Sequence, residues 1–267
     1  MKILITGASG FLGSEVSNIL CNKKYKILKI SRSKKNFFNC NLENTQDVSN
    51  LLSKFKPDII INLAAKVDFK KKINSLKLNY KLPKLLSNYC KKNNKYLIHS
   101  SSISIHGEKE NYSIKSKNSP NSPYAISKLM GDKNIINSKC NYTIIRFPGI
   151  YGANGPDHLF INKLMKRGAA KKIHIDNNGN QLRNYLFVKD AAKIIFSCIE
   201  KKSKNIVYVG GEKISLKNIL ILMKKNKFIK NLTFEKNLKK NQISKSNIKF
   251  KYTTFIKNIR LIKNQLK

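Results

Sequence analysis

Apolar and polar positions along the first 150 residues fall into two alternating patterns. Short, near-continuous apolar runs occupy residues 3–6, 25–30, 37–40, 58–63, 96–99 and 142–147. Between them lie longer stretches with apolar residues at helical spacing, at 11–21, 46–55, 73–92 and 124–136. Side chains of a strand point to opposite faces in turn, so a run that is apolar throughout suits a strand covered on both faces. Strands alternating with helices predict an α/β fold, a doubly wound parallel sheet with helices on both sides. Beyond residue 152 the pattern loosens. It predicts a helix at 159–166, a strand, turn and strand over 172–175, 177–180 and 181–187, and a helix at 188–199. From about 215 onward the chain reads as helical, lysine-rich and weakly patterned, and residues 111–121 read as a loop. The predicted organisation is a first domain over residues 1–152 and a small C-terminal α/β lobe over 153–267, interleaved with the first.

Composition narrows the class. At 267 residues and 41% hydrophobic content the chain can bury a sizeable core. No stretch of 18 apolar residues occurs, so no membrane span is expected. The chain enters a strand within its first few residues, leaving no room for a secretory leader. Cys21, Cys40, Cys90, Cys140 and Cys198 are odd in number, widely spaced and without a C-x-x-C pair. They read as free thiols of a cytoplasmic protein, not as a disulfide framework or a zinc site. The net charge of +40 raises the question of nucleic acid or an anionic membrane. Only five of the 54 basic residues are arginine, the residue suited to bidentate reading of bases and phosphates. The lysines are spread along the chain and accompany heavy use of asparagine and isoleucine, as AT-rich coding produces. A nucleic-acid partner is therefore not expected, although a positive field would attract an anionic small substrate.

Chemistry enters at the first strand–helix junction. Gly7-Ala8-Ser9-Gly10-Phe11-Leu12-Gly13 follows the first strand and opens the first helix. Glycines there permit a tight turn, and the free N–H groups and dipole of the helix start favour a phosphate. A G-x-x-G-x-x-G at this position predicts a dinucleotide site. The second strand is followed by Ser31-Arg32-Ser33, with no acid for a ribose 2′-hydroxyl. Ser31 and Arg32 could hold a 2′-phosphate, so NADP(H) is favoured and NAD(H) stays open.

A second group lies further on. Tyr124-Ala125-Ile126-Ser127-Lys128 sits on a helix predicted to start after Pro123, and i, i+4 spacing puts Tyr124 and Lys128 on one face. A free tyrosine titrates near ~10, and an adjacent ammonium is expected to lower that value. Ser100-Ser101-Ser102 ends the fifth apolar run, where active sites of open α/β sheets lie.

Taken in order, these motifs resemble the extended short-chain dehydrogenase/reductase family, also called the NAD-dependent epimerase/dehydratase family, over about residues 1–200. Thr6 through Gly13 resembles the family's cofactor turn in a Rossmann-type sheet. Asn41-Leu42 stands where the family has an Asp-Leu pair beside the adenine, and Asn62-Leu63-Ala64-Ala65 resembles the segment lining the cofactor. Asn79 resembles the family's helix asparagine. Ser100 through Gly107 resembles the serine motif, and alignment on Gly107 makes Ser102 the counterpart of the catalytic serine. Tyr124 and Lys128 match the catalytic tyrosine and lysine. Arg146 through Gly152 resembles the segment after the sixth strand, and Asn178 through Tyr185 with Val188-Lys189-Asp190 resembles the R-D-[FY]-x-x-V-x-D segment. There Arg183 would contact a substrate diphosphate.

The resemblance implies hydride transfer between a nicotinamide and a sugar carbon of a nucleotide sugar. Tyr124 would move the proton on the reacting oxygen, Lys128 would tune Tyr124 and hold the nicotinamide ribose, and Ser102 would hydrogen-bond the oxygen. It also implies a homodimer through helices 73–92 and 124–136. Family dehydratases carry an Asp-Glu pair directly after the catalytic Ser/Thr, where this chain has Ile103 and Ser104. Decarboxylating members keep a glutamate at the Ser104 position, and reductases that also epimerise use a cysteine near it. A 4-keto reductase is the favoured reading, given the expected NADPH preference. A C4 epimerase with tightly bound NAD is the alternative, and a non-catalytic NAD(P)-binding sensor is the third. Asn41 in place of an aspartate and Gly149 in place of a substrate asparagine depart from the family pattern. His99 reads as a core histidine, Asp190 as a helix cap or dipole partner, and His106 as a lesser candidate for substrate contact. His106, His158 and His174 lack metal-ligand spacing.

Overall fold

A computed structural model describes residues 1–31, 37–68, 73–167, 173–175, 179–202, 205–229, 232–234 and 241–266. Five of the six predicted apolar runs form strands: β1 (Lys2–Thr6), β2 (Lys26–Lys29), β3 (Ile59–Asn62), β4 (Tyr96–Ser102) and, after a two-residue strand β5 (Asn111–Tyr112), β6 (Asn141–Phe147). The run at 37–40 does not. Among the described residues it contributes only an isolated bridge between Ile30 and Phe38. The helices between the strands are α1 (Phe11–Cys21), α2 (Thr45–Phe55), α3 (Leu78–Lys92) and α4 (Pro123–Ser138), with 3₁₀ turns at Ile73–Leu76 and Ile103–His106. Local signals set their ends. Asn44 caps α2 by accepting from the N–H of Gln46, and Ser122 caps α4 by accepting from Ala125, with Pro123 in the first turn.

The six-stranded sheet has the order β10-β6-β4-β3-β1-β2, where β10 is Asn205–Tyr208. Leu4 lies beside Ile60 and Ile60 beside Leu97 in parallel register. With Ile144 they join Val48, Leu52, Leu82 and Leu86 in one buried cluster. Ile3, Ile5, Ile59 and Ile61, which point the other way, are equally buried. This two-sided burial is the reason the runs are apolar throughout. The chain leaves β1 for β2 on one side and returns to β3 on the other, so the strand order reverses between β1 and β3. A crevice at the carboxyl ends of two such strands is where open α/β sheets bind ligands.

Helices α3 and α4 meet closely. Pro83 has no N–H, so the Asn79 carbonyl one turn earlier lacks the usual i→i−4 bond of a helix. That carbonyl faces Gly131 of α4, where an added Cβ would sit 2.4 Å from the oxygen.

The remaining elements are β7 (Gly149–Tyr151), α5 (Phe160–Arg167), β8 (Ile173–Ile175), β9 (Leu182–Phe187), α6 (Val188–Lys201), β11 (Glu212–Ser215), α7 (Leu216–Lys225), β12 (Leu232–Phe234), β13 (Ile243–Ser244) and α8 (Phe255–Leu266). Three readings change here. The two strands around residues 177–180 belong to different sheets: β8 pairs in parallel with β12, and β9 lies between β11 and β7. The 111–121 stretch contains β5, which pairs with β13, and the region after 215 holds two strands besides its helices. These partners lie far along the chain, beyond the reach of local patterning. The chain divides into two compact units, Met1–Gly107 with Lys117–Arg146 and Ala192–Val207, and Glu108–Ser116 with Phe147–Ala191 and Tyr208–Lys267.

Candidate active site

β1 ends at Thr6 and the chain turns at Gly7, whose φ of +68° suits glycine. The Gly10 N–H donates to the Gly7 carbonyl at 3.0 Å, closing the turn. A Cβ on Gly7 would lie 2.8 Å from the Ala64 nitrogen, and one on Gly13 only 2.1 Å from the Gly7 oxygen. Helix α1 begins at Phe11 with Gly10 as its cap, so no cap side chain satisfies the first-turn N–H groups. Beside this helix start lies a cleft of about 200 Å³ whose lining includes Gly7, Ser9, Gly10, Ser31, Asn41, Leu42, Leu63, Ala64 and Ala65. Uncapped donors, a close-approach turn and an adjoining cleft fit a dinucleotide phosphate. Ser9 and Ser31 share a hydrogen bond at 2.8 Å, and Arg32 lies outside the described residues. The Asn41 side chain accepts from the Glu43 N–H at 3.1 Å, and Glu43 pairs with Lys66.

Asn79 is 1% exposed, and its carboxamide is spent on the protein. It accepts from the Lys66 N–H and donates to the Lys66 carbonyl, both at 2.8 Å, and its amide also donates to Ser127 Oγ at 2.9 Å. It thereby ties the chain after β3 to α4, one residue from Lys128.

β4 and α4 bring Ser102, Tyr124 and Lys128 together. Ser102 Oγ accepts the Ser104 N–H at 3.1 Å and hydrogen-bonds the Tyr124 side chain. Lys128 is 2% exposed and its Nζ donates to the Ser100 carbonyl at 2.6 Å. The expectation that Tyr124 is acidified needs correction. Burial pushes its hydroxyl up to about 12, the Asp132 charge adds to this, and the Ser102 bond opposes it. Burial likewise brings Lys128 down to about 8 against the pull of Asp132. In the free protein Tyr124 is therefore a proton-bearing acid at neutral pH.

Behind this pair sits a group that sequence reasoning missed. Asp132 is fully buried one turn beyond Lys128, and its Oδ2 accepts from Arg146 Nε at 3.1 Å. His99 Nε2 lies 3.9 Å from Asp132 Oδ1. His99 Nδ1 faces the Asn62 amide at 3.1 Å, while Asn62 Oδ1 accepts from Thr6 Oγ1 at 2.6 Å. Asn62 is thus the donor, Nδ1 the acceptor, and the His99 proton resides on Nε2. Burial and the Lys128 charge hold His99 well below its ordinary range, so it is neutral. The available signal was the spacing: Tyr124, Lys128 and Asp132 recur every four residues.

Other candidates resolve differently. His106 is fully buried with Nδ1 3.2 Å from the Lys117 carbonyl, which makes it a structural group. Asp190 Oδ2 accepts from both the N–H and the hydroxyl of Thr253, at 2.7 and 2.6 Å, so it fastens the segment before α8 from the first turn of α6, where its charge suits the helix dipole. Arg183, on β9, has a buried Nε without a hydrogen-bond partner among the described residues. No cluster of three His, Cys, Asp or Glu suited to a metal, and no helix long and apolar enough to cross a membrane, occurs among the described residues.

Residues 3–210 match the family model described as NAD dependent epimerase/dehydratase family. The chain is 26% identical to an uncharacterized UDP-glucose epimerase of Bacillus subtilis, over 84% of this chain and 81% of that protein. Its fold is similar to the UDP-Glc/GlcNAc 4-epimerase of Campylobacter jejuni, with TM-score 0.87, 20% identity and coverage of 98% of both chains. It is also similar to the UDP-glucuronic acid 4-epimerase of Bacillus cereus in complex with NAD, with TM-score 0.85, 23% identity and coverage of 100% and 99%. At these identities the likeness to the solved structures is one of fold.

Proposed function

Since this chain belongs to the NAD-dependent epimerase/dehydratase family, we propose that it is an NAD(P)-dependent oxidoreductase that reduces a 4-keto group of a nucleotide sugar. The arrangement that carries this reading is the Tyr124 hydroxyl hydrogen-bonded to Ser102 at the end of β4, with Ile103 and Ser104 following it in the chain. A ketone accepting hydride needs a proton donor at its oxygen, and Tyr124 is one. Ser102 orients that oxygen, and the Lys128 ammonium stabilises the phenolate left behind. Ile103 has no proton to exchange, so removal of water at a neighbouring carbon lacks its acid and base.

Gly7, Ser9, Gly10, Phe11, Leu12 and Gly13 would hold the cofactor pyrophosphate, with Ser31 and Arg32 at the adenosine ribose. Asn41 and Leu42 would flank the adenine, Leu63, Ala64 and Ala65 the middle of the dinucleotide, and Tyr124 and Lys128 the nicotinamide ribose. Asn79 would act through the Lys66 backbone it clasps. Arg183 would take the substrate diphosphate. The bound cofactor supplies the hydride.

A second reading, C4 epimerisation with retained NAD, is favoured by the likeness to UDP-sugar 4-epimerases. One experiment separates the two. The protein is purified without added cofactor, denatured, and any released dinucleotide identified by mass spectrometry, followed by titration with NADPH and NADH. An empty site preferring NADPH, with NADPH consumed by a UDP- or dTDP-linked 4-keto sugar, is the expected result. Stoichiometric co-purified NAD would replace reduction by epimerisation.

A further inference from the structure

Lys128 has to stay charged to serve Tyr124, yet it is buried where an isolated ammonium is disfavoured. Its hydrogen bond to the Ser100 carbonyl supplies a dipole but no countercharge. The charged and titratable groups packed around it are few. Asp132 on α4 and His99 on β4 act on it directly, and Tyr124 on α4 with Tyr142 and Arg146 on β6 act on Asp132 in turn. Tyr124 and Tyr142 hold their protons, with burial raising both, and His99 is neutral. Arg146 is 5% exposed with its Nε on Asp132; burial pushes the Asp132 carboxyl up, and the Arg146 guanidinium, the Ser101 hydroxyl and the Lys128 charge oppose this and favour the anion. The set therefore carries two cations and one anion, all shielded from water. Asp132 lies one turn beyond Lys128 on α4 and has one oxygen on Arg146. The other, Oδ1, is approached by the His99 N–H at 3.9 Å, and the Ser101 side chain also hydrogen-bonds the carboxylate.

We propose that Asp132, anchored by Arg146, is the countercharge that keeps Lys128 protonated behind Tyr124, and so is a positioning residue for proton transfer. The inference deepens the proposed chemistry and rests on it for Lys128 being a catalytic group. Neutral His99 fits the same arrangement: it directs an N–H toward Asp132 without adding a third cation. Arg146 fixes the carboxylate in its rotamer and prevents it from collapsing onto Lys128 as a closed ion pair, which would withdraw the ammonium from Tyr124.

The test reads Lys128 directly, in the full chain without cofactor or substrate. Protein labelled with ¹³C at lysine Cε is titrated by NMR, and the Lys128 signal is assigned by its loss in Lys128→Met. Asp132→Asn alone leaves Arg146 buried without a partner and can fail to fold. The decisive variant is therefore Asp132→Asn with Arg146→Met, compared with Arg146→Met alone so that the two proteins differ only in the carboxylate. The Lys128 midpoint is expected to fall by about one pH unit or more in that variant, and to stay in place in Asp58→Asn, which breaks a separate ion pair with Lys95. An unchanged midpoint overturns the proposal. Turnover gives the second readout: the alkaline limb of kcat should move down with the NMR midpoint while KM for cofactor holds. A midpoint that moves while the limb does not also overturns the positioning role. Absence of any turnover on 4-keto or 4-hydroxy nucleotide sugars would instead sink the proposed function, and the NMR titration would still decide whether Asp132 sets the charge of Lys128.

Discussion

A lysine placed in the interior is costly to the fold and useful to the chemistry, and Lys128 allows both effects to be measured. Its folded-state value of about 8 lies below the ordinary 10.5, so between those values the unfolded chain binds more protons. Stability should then rise with pH through that window. At pH 7 the full penalty is present, about 3 kcal/mol for a shift of this size. Lys128→Met should therefore be the more stable protein at pH 7 in urea denaturation, with the difference closing above pH 10, while turnover is lost. Tyr124→Phe should lower kcat by about 10²–10⁴-fold and leave dinucleotide affinity within about twofold, since the ring remains and only the proton carrier goes. Turnover that survives this substitution would remove Tyr124 from the mechanism. Tyr124 and Lys128 were legible because their spacing carries meaning wherever it follows a glycine turn. Asp132 was not, because an acid on a helix reads as a surface residue until neighbouring strands are seen to cover it.

At the scale of elements, the glycines of the proposed dinucleotide turn also leave no room for a side chain there. Gly13 lets the first turn of α1 pack on the Gly7 carbonyl, and an alanine there would push its methyl into the backbone at 2.1 Å. Gly13→Ala is expected to abolish dinucleotide binding and to lower thermal stability. Gly10→Ala meets the Gly7 oxygen only at 3.2 Å and should stay folded with weakened binding. Parallel melting curves and cofactor titrations of the two variants check the contrast. Most strands of the first unit were readable because a parallel strand buried on both faces is apolar throughout, and α1 falls where its periodicity placed it; β10 is not among the predicted strands, and the run at 37–40 yields only a bridge. The second unit was not, because its short strands pair with segments distant in sequence. Ile173 pairs with Leu232 and Asn111 with Ile243, and no local pattern records such a choice.

For the molecule as a whole, Ile126 and Met130 stand one turn apart on α4 at 40% and 37% exposure. Apolar side chains stacked on the open face of a helix whose other face carries Lys128 and Asp132 fit self-association, the homodimer implied by the resemblance. Sedimentation equilibrium should give a dimer, and Ile126→Glu with Met130→Glu a monomer that still binds dinucleotide. The order of segments has a separate bearing on synthesis. The β6 edge of the large sheet is completed by β10, which follows β6 only after the long excursion Phe147–Ala191 and the helix α6. A nascent chain that has emerged through β6 therefore presents a bare row of backbone donors and acceptors for the time needed to translate some sixty further residues, several seconds at ordinary ribosomal speed. An unpaired edge favours mispairing for as long as it lasts, and a pause in translation between residues 150 and 200 would lengthen that interval.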